Sequence, residues 1–140
     1  MATFNKFNQF TKDLIDGVHN FSAHTFKVLL TNTAPVATNS VRANLTELGA
    51  GGGYASGGLT TAVTTSTATG TAKAVAADVT FVAAGGTIGP FRYAVLYNDT
   101  PTSPADPLIG FWDYGASITL NPEETFTVDF DPTNGILTLA

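Results

Sequence analysis

Residues 90–98, "PFRYAVLYN", constrain the fold more than any other stretch. As a strand they place Phe91, Tyr93, Val95 and Tyr97 on one face and Ala94 and Leu96 on the other. Successive side chains of a strand point to opposite faces, so both faces here are apolar. Such a strand needs cover above and below and belongs in the middle of a sheet. The chain has 140 residues. A domain of that size buries roughly 68–70% of its unfolded surface, enough to supply that cover.

The remaining segments mostly follow the same rule. "TFKVLLT" (25–31) sets Phe26, Val28 and Leu30 on one face, and "VRANLTEL" (41–48) reads as a short strand. Residues 59–69 and 71–83 read as two strands about Gly70. "LIGFWDYG" (108–115) is a strand rich in aromatics, followed by the shorter "ASITL". "ETFTVDF" and "GILTLA" flank "DPTNG", whose Asn-Gly step predicts a β-hairpin. The exception lies at the N-terminus. Phe4, Phe7, Phe10, Leu14 and Val18 recur at steps of three and four, which predicts an amphipathic helix near residues 4–16, ended by Gly17. The pattern predicts an all-β chain: an antiparallel β-sandwich or barrel of about eight or nine strands with one short N-terminal helix. It reads as one domain over 1–140, with residues 1–17 as its helical segment.

Charged residues make up 12% of the chain and the net charge is −5, with a pI near 4.6. Nucleic-acid binding rewards clustered Lys and Arg, and the six basic residues here are scattered, so no nucleic-acid partner is expected. With no cysteine there is no disulfide, zinc-thiolate site or thiol nucleophile. No apolar run approaches the ~18 residues of a membrane helix, and no signal-peptide pattern opens the chain. A soluble protein made in the cytosol is the expectation.

The stretch Glu47–Gly58, "ELGAGGGYASGG", is half glycine. A phosphate-binding P-loop would need a following Lys and a hydroxyl, and no lysine follows. A dinucleotide fingerprint fails too: the sixth residue is Tyr54 counted from Gly49 and Ser56 counted from Gly51. The threonine-rich run after it is unsuited to a phosphate-binding helix. A flexible surface loop is the expectation, with glycine permitting close approach to a neighbour. Ser56 and Ser117 lack the glycines of a nucleophile elbow. His19 and His24, with Asp16, match no metal-ligand spacing. "DFDPTNG" departs from a calcium loop at its fifth, sixth and twelfth positions, so Asp131 and Asn134 read as turn formers. No catalytic, cofactor or metal residues are expected.

"GFWDYG" sets Asp113 between Trp112 and Tyr114. Sugar sites combine ring-stacking aromatics with paired carboxylates. Alternation puts the two rings on one face and Asp113 on the other, which favours core or interface packing instead. Glu123, Glu124 and Asp129 could supply a second carboxylate, but a solvated turn and strand face accounts for them.

The strings "FNKFNQF", "LLTNTAPVATNS", "GPFRYAVLYND", "PLIGFWDYG" and "FTVDFDPTNGILTLA" resemble a family of small structural proteins of tailed bacteriophages, over nearly the whole chain. The resemblance implies a capsid cement or decoration protein with a jelly-roll sandwich and no catalytic residues. Its partners would be the major capsid protein and further copies of itself, with no small-molecule substrate and no membrane. Its location would be the capsid exterior of the virion, after synthesis in the host cytoplasm. Within that reading Phe4, Phe7, Phe10 and Tyr54 are the candidate partner-binding residues. The phenylalanine stripe must be covered, either by its own sandwich or by another subunit. The rival expectations are a tail or fibre adhesin using Trp112, Tyr114 or Tyr54 on glycans, and a glycan-active enzyme or lectin-like module.

Overall fold

The chain, seen as a computed structural model, is described over residues 2–140; Met1, part of the expected N-terminal segment, lies outside the described residues. In order come β1 (Phe4–Lys6), α1 (Asn8–Ile15), β2 (Phe26–Thr31), a 3₁₀ turn (Arg42–Asn44), β3 (Leu59–Thr61), β4 (Val63–Ala68), β5 (Thr71–Ala76), β6 (Val79–Val82), β7 (Ile88–Asn98), β8 (Leu108–Leu120), β9 (Thr125–Val128) and β10 (Leu137–Leu139). They build a five-stranded sheet in the order β1-β8-β7-β2-β3, a three-stranded sheet β10-β5-β4 and a two-stranded sheet β6-β9. All pairings are antiparallel.

The result is an all-β sandwich with one short helix. Its main core lies between the five-stranded sheet and the smaller sheets. Phe26, Val28 and Leu30 of β2 and Phe91, Ala94 and Leu96 of β7 meet Ala76 of β5, Val79 and Phe81 of β6 and Val128 of β9. The opposite face of the large sheet is covered as well. There Leu29, Val95, Tyr97 and Leu108 pack with Phe7, Leu45 and Phe111. β7 is therefore central and buried on both faces, as its composition requires. Sheets of five, three and two strands do not establish the expected jelly-roll connectivity, which pairs two four-stranded sheets.

Ten strands stand where eight or nine were expected, because the threonine-rich region divides. Its two long segments become β3, β4, β5 and β6, leaving one sheet for the next at Ala62 and at Ala77–Asp78. Residues 41–48 form no strand: Asn44 Oδ1 accepts from the Ser40 and Val41 N–H groups and folds Arg42–Asn44 into a 3₁₀ turn. The expected Asn-Gly hairpin is absent, since β9 pairs with β6 and β10 with β5. Asp131 instead accepts from the Thr133 and Asn134 N–H groups, so the turn swings the chain between sheets. "LIGFWDYG" and "ASITL" merge into the single strand β8.

The helix is shorter than residues 4–16. Phe4–Lys6 pair with the edge of β8, Phe4 opposite Trp112 and Lys6 opposite Gly110. The backbone groups of that edge outweigh local helical periodicity, because unpaired strand edges are strong hydrogen-bonding templates. Helix begins only at Asn8, whose N–H donates to Ala37 O at 2.9 Å. Asp16 caps it and Gly17 follows with φ +77°, where the sequence placed the stop.

Candidate functional site

The candidate partner residues are mostly interior. Phe7 and Phe10 are buried, Phe10 against His19 and Phe21, and Phe7 against Phe111 on the outer face of the large sheet. The stripe is thus covered by its own sandwich. Each phenylalanine buried this way contributes about 1.5–3 kcal/mol, which exposure to a partner would forfeit. Phe4 is half-buried over Trp112, with ring centroids 5.2 Å apart.

Tyr54 is also buried, and it anchors the glycine stretch. Its hydroxyl donates to Glu47 Oε1 at 2.8 Å and accepts from the Leu30 N–H at 3.1 Å. Burial pushes its phenol pKa far above the usual range, so it stays a donor. Glu47 also accepts from the Gly57 N–H at 2.5 Å and from Arg42 Nε at 3.0 Å and Nη2 at 2.6 Å. Tyr97 donates to Gly57 O at 2.7 Å. At Gly52 and Gly58 a side chain would overlap the carbonyls of Thr87 and Val28, and both residues have positive φ. The expected flexible loop is therefore a pinned one. Two of its glycines serve close approach within the fold, and the side chains of Glu47 and Tyr54 find their partners internally. Arg42 and Glu47 were missed as its clamp; two opposite charges five residues apart in a chain this poor in charge were the available signal.

A cleft of about 360 Å³ opens to solvent between β8 and the segment from β9 to β10. Trp112, Tyr114, Phe126, Phe130 and Ile136 line it, with Phe4 at one end and Asp129 and Asp131 at its rim. Alternation along β8 brings Trp112 and Tyr114 to the same cleft, as the sequence indicates. Trp112 packs edge-on to Phe130 at 5.3 Å and Tyr114 edge-on to Phe126 at 5.6 Å. Tyr114 is 57% exposed. It sits where β8 departs from regular pairing: Phe91 lies opposite Ile118 but Tyr93 opposite Asp113. Such a bulge re-aims side chains and often marks a site.

Asp113 ties that bulge together. It accepts from Arg92 Nε at 2.7 Å and Nη2 at 2.9 Å, and from the Gly115 N–H at 2.8 Å. The Arg92 hydrogen bond, then the Gly115 one, hold its carboxyl below the usual range. Asp131 is likewise lowered, by the Asn134 and Thr133 donors of its own turn. Glu124 accepts from the Asn121 N–H at 2.7 Å, a turn role.

His19 and His24 do come together. Asn98 Nδ2 donates to Nδ1 of His19 at 3.1 Å and of His24 at 2.9 Å. Asp16 is not with them; it pairs with Lys12 on the exposed helix face. Asp13 lies buried nearby, and its Oδ2 and His19 Nε2 have no hydrogen-bond partner. Among the described residues no group of three or more His, Cys, Asp or Glu is placed to hold a metal ion. No protein-family model, curated protein or solved structure matches the chain.

Proposed function

We propose that the chain is a non-enzymatic structural protein of a tailed-phage virion. In this reading it decorates or cements the capsid exterior by bridging neighbouring major capsid protein subunits. The likeness of its sequence strings to such proteins first suggests the role. The observation that carries it is the pairing of two exposed contact features on one frame. One is the aromatic cleft around Trp112 and Tyr114. The other is the β4–β5 hairpin, whose tip, residues 64–72, is exposed on both faces. A bridge needs two contacts, and many copies on a lattice turn individually weak contacts into avid ones. The clamped glycine stretch and the doubly covered sheet supply the stiffness that a bridge between capsid subunits demands.

A second reading has its own support. A half-buried Trp112, an exposed Tyr114 and the rim carboxylates Asp129 and Asp131 are the parts of a saccharide subsite, which would suit an adhesin. The two readings separate in one pair of measurements on wild type and Tyr114→Ala. Cementing expects co-sedimentation of the protein with capsids stripped of it, weakened at least several-fold by the substitution, and no response on a glycan array. Glycan binding lost in Tyr114→Ala, without capsid binding, would overturn the cement reading.

A further inference from the structure

β4 is an edge strand without the usual protection. It is terminal in its sheet, with β5 as its only paired neighbour. β2, which pairs with β3, begins at Phe26 opposite Thr61 and so leaves Val63–Ala68 unpaired on the far side. Natural sheets blunt such edges with charges, prolines, bulges or very short strands. The other terminal strands are short: three residues in β1, β3 and β10, four in β6 and β9. β4 has six residues, with no bulge in its register with β5. No charged residue or proline occurs anywhere from Leu59 to Ala72. Residues 64–68 are all exposed.

The turn tells which backbone groups face outward. Thr69 and Gly70 have φ of 51° and 80°, the signature of a two-residue type I′ loop. In that loop the flanking residues, Ala68 and Thr71, form a mutually hydrogen-bonded pair. Alternation then gives the N–H and C=O groups of Ser66 and Thr64 to β5, and those of Thr67, Thr65 and Val63 to the open edge. Ala62 agrees, since its carbonyl accepts from the Ala77 N–H on the β5 side.

We propose that this edge pairs with the same edge of a second copy, β4 against β4, antiparallel about a two-fold axis through Thr65. Thr65 then faces its counterpart as a hydrogen-bonded pair, and Val63 faces Thr67 of the other copy. Thr64 stands opposite Ser66. The sheet runs on through both molecules as β10-β5-β4 and its two-fold mate, an isologous contact that closes on itself. Cross-strand threonine pairs favour the register. Charge selects the site too. Each copy carries net −5, and β4 itself carries no charge, so approach along this edge brings no acidic side chains of its own together. The inference stands apart from the virion reading, because association in solution tests it alone.

The chain's lack of cysteine makes the test clean. Hydrogen-bonded antiparallel residues have Cα atoms about 5.5 Å apart, within disulfide range. Thr65→Cys should therefore give a disulfide-linked dimer under mild oxidation, while Thr71→Cys, equally exposed but on the inner strand, should not. In sedimentation equilibrium the wild-type chain should show a monomer–dimer equilibrium. Thr65→Lys, with an unchanged circular-dichroism melt, should raise its dissociation constant at least tenfold. Thr67→Lys serves if Thr65→Lys folds poorly. A wild-type chain monomeric at the highest attainable concentration, a dimer indifferent to both lysines, or equal cross-linking from positions 65 and 71 would overturn the proposal.

Discussion

The carboxylate of Glu47 receives Arg42, the Tyr54 hydroxyl and the Gly57 N–H at once. Removing it leaves the buried Tyr54 hydroxyl without an acceptor and the Gly57 N–H unpaired, while Arg42 keeps Ser56 and Asp106. Leaving such donors unmade costs about 1–3 kcal/mol each. Glu47→Ala should therefore lower unfolding free energy by about 2–3 kcal/mol in urea titration and speed amide exchange across residues 49–58; unchanged exchange would mean the loop holds itself. His19 gives a pH signature. Burial lowers its pKa to about 4 from 6.5, against a smaller opposing pull from Asp13, while neighbouring His24 adds to the lowering. The groups facing it are Asp13, His24 and Asn98 Nδ2, which donates to its Nδ1 and so requires that nitrogen unprotonated. Between pH 6.5 and about 4 the unfolded chain binds a proton that the folded chain refuses. Stability is thus full above pH 6.5 and falls as pH drops through that window, by roughly 2–3 kcal/mol. Denaturation midpoints at pH 7.5 and 4.5 check this, and His19→Gln should flatten the slope; a wild-type midpoint unchanged between the two would count against it. Asp131 as a turn former was legible because its partners are two and three residues away. Glu47 was not, because its partners converge from the 3₁₀ turn, the glycine stretch and the hydroxyl of Tyr54.

At the level of elements, β7 shows what alternation can and cannot tell. Val95 and Tyr97 share the outer core with Phe7, while Ala94 and Leu96 face the sandwich interior, as their spacing dictates. Phe91 does not follow: it joins Ala94 and Leu96, because pairing with β8 shifts between Phe91 and Tyr93 and turns the ring over. A bulge carries no periodic signal, so no reading of residues 90–98 alone could place it. Val95 is fully buried. Val95→Asp puts an unpaired charge there and should cost more than about 4 kcal/mol, enough to abolish the cooperative melt. A melting temperature like wild type would show that β7 is not central. The N-terminal misreading has the same origin as the bulge. Phe4, Phe7 and Phe10 fit a helical period, yet Phe4 is drawn into a strand by the open edge of β8, a partner over a hundred residues away. The Asn-Gly step, too, was legible as a turn but not as a hairpin, since which strands it joins depends on the sheets they find.

For the whole molecule, the class of fold followed from turn spacing and from the doubly apolar β7, while the division into sheets of five, three and two strands did not. Two exposed contact features stand out at this scale: the β4 edge, in a stretch from Leu59 to Ala72 without a charged residue, and the aromatic cleft. Trp112 and Tyr114 were legible as a possible contact pair from alternation alone, whereas the β4 edge was not, because an unpaired edge depends on which strands fail to meet it. Both suit a protein that works in contact with others of its kind and with a lattice. That role makes a numerical demand that an adhesin or an enzyme does not. The deciding measurement is the copy number of this chain in purified virions, by quantitative mass spectrometry against the major capsid protein. The cement reading predicts copies in fixed proportion to the capsid lattice, in the hundreds for a typical tailed particle, since avidity on a repeating surface requires occupancy of its repeats. A handful of copies per particle, or none, would contradict it.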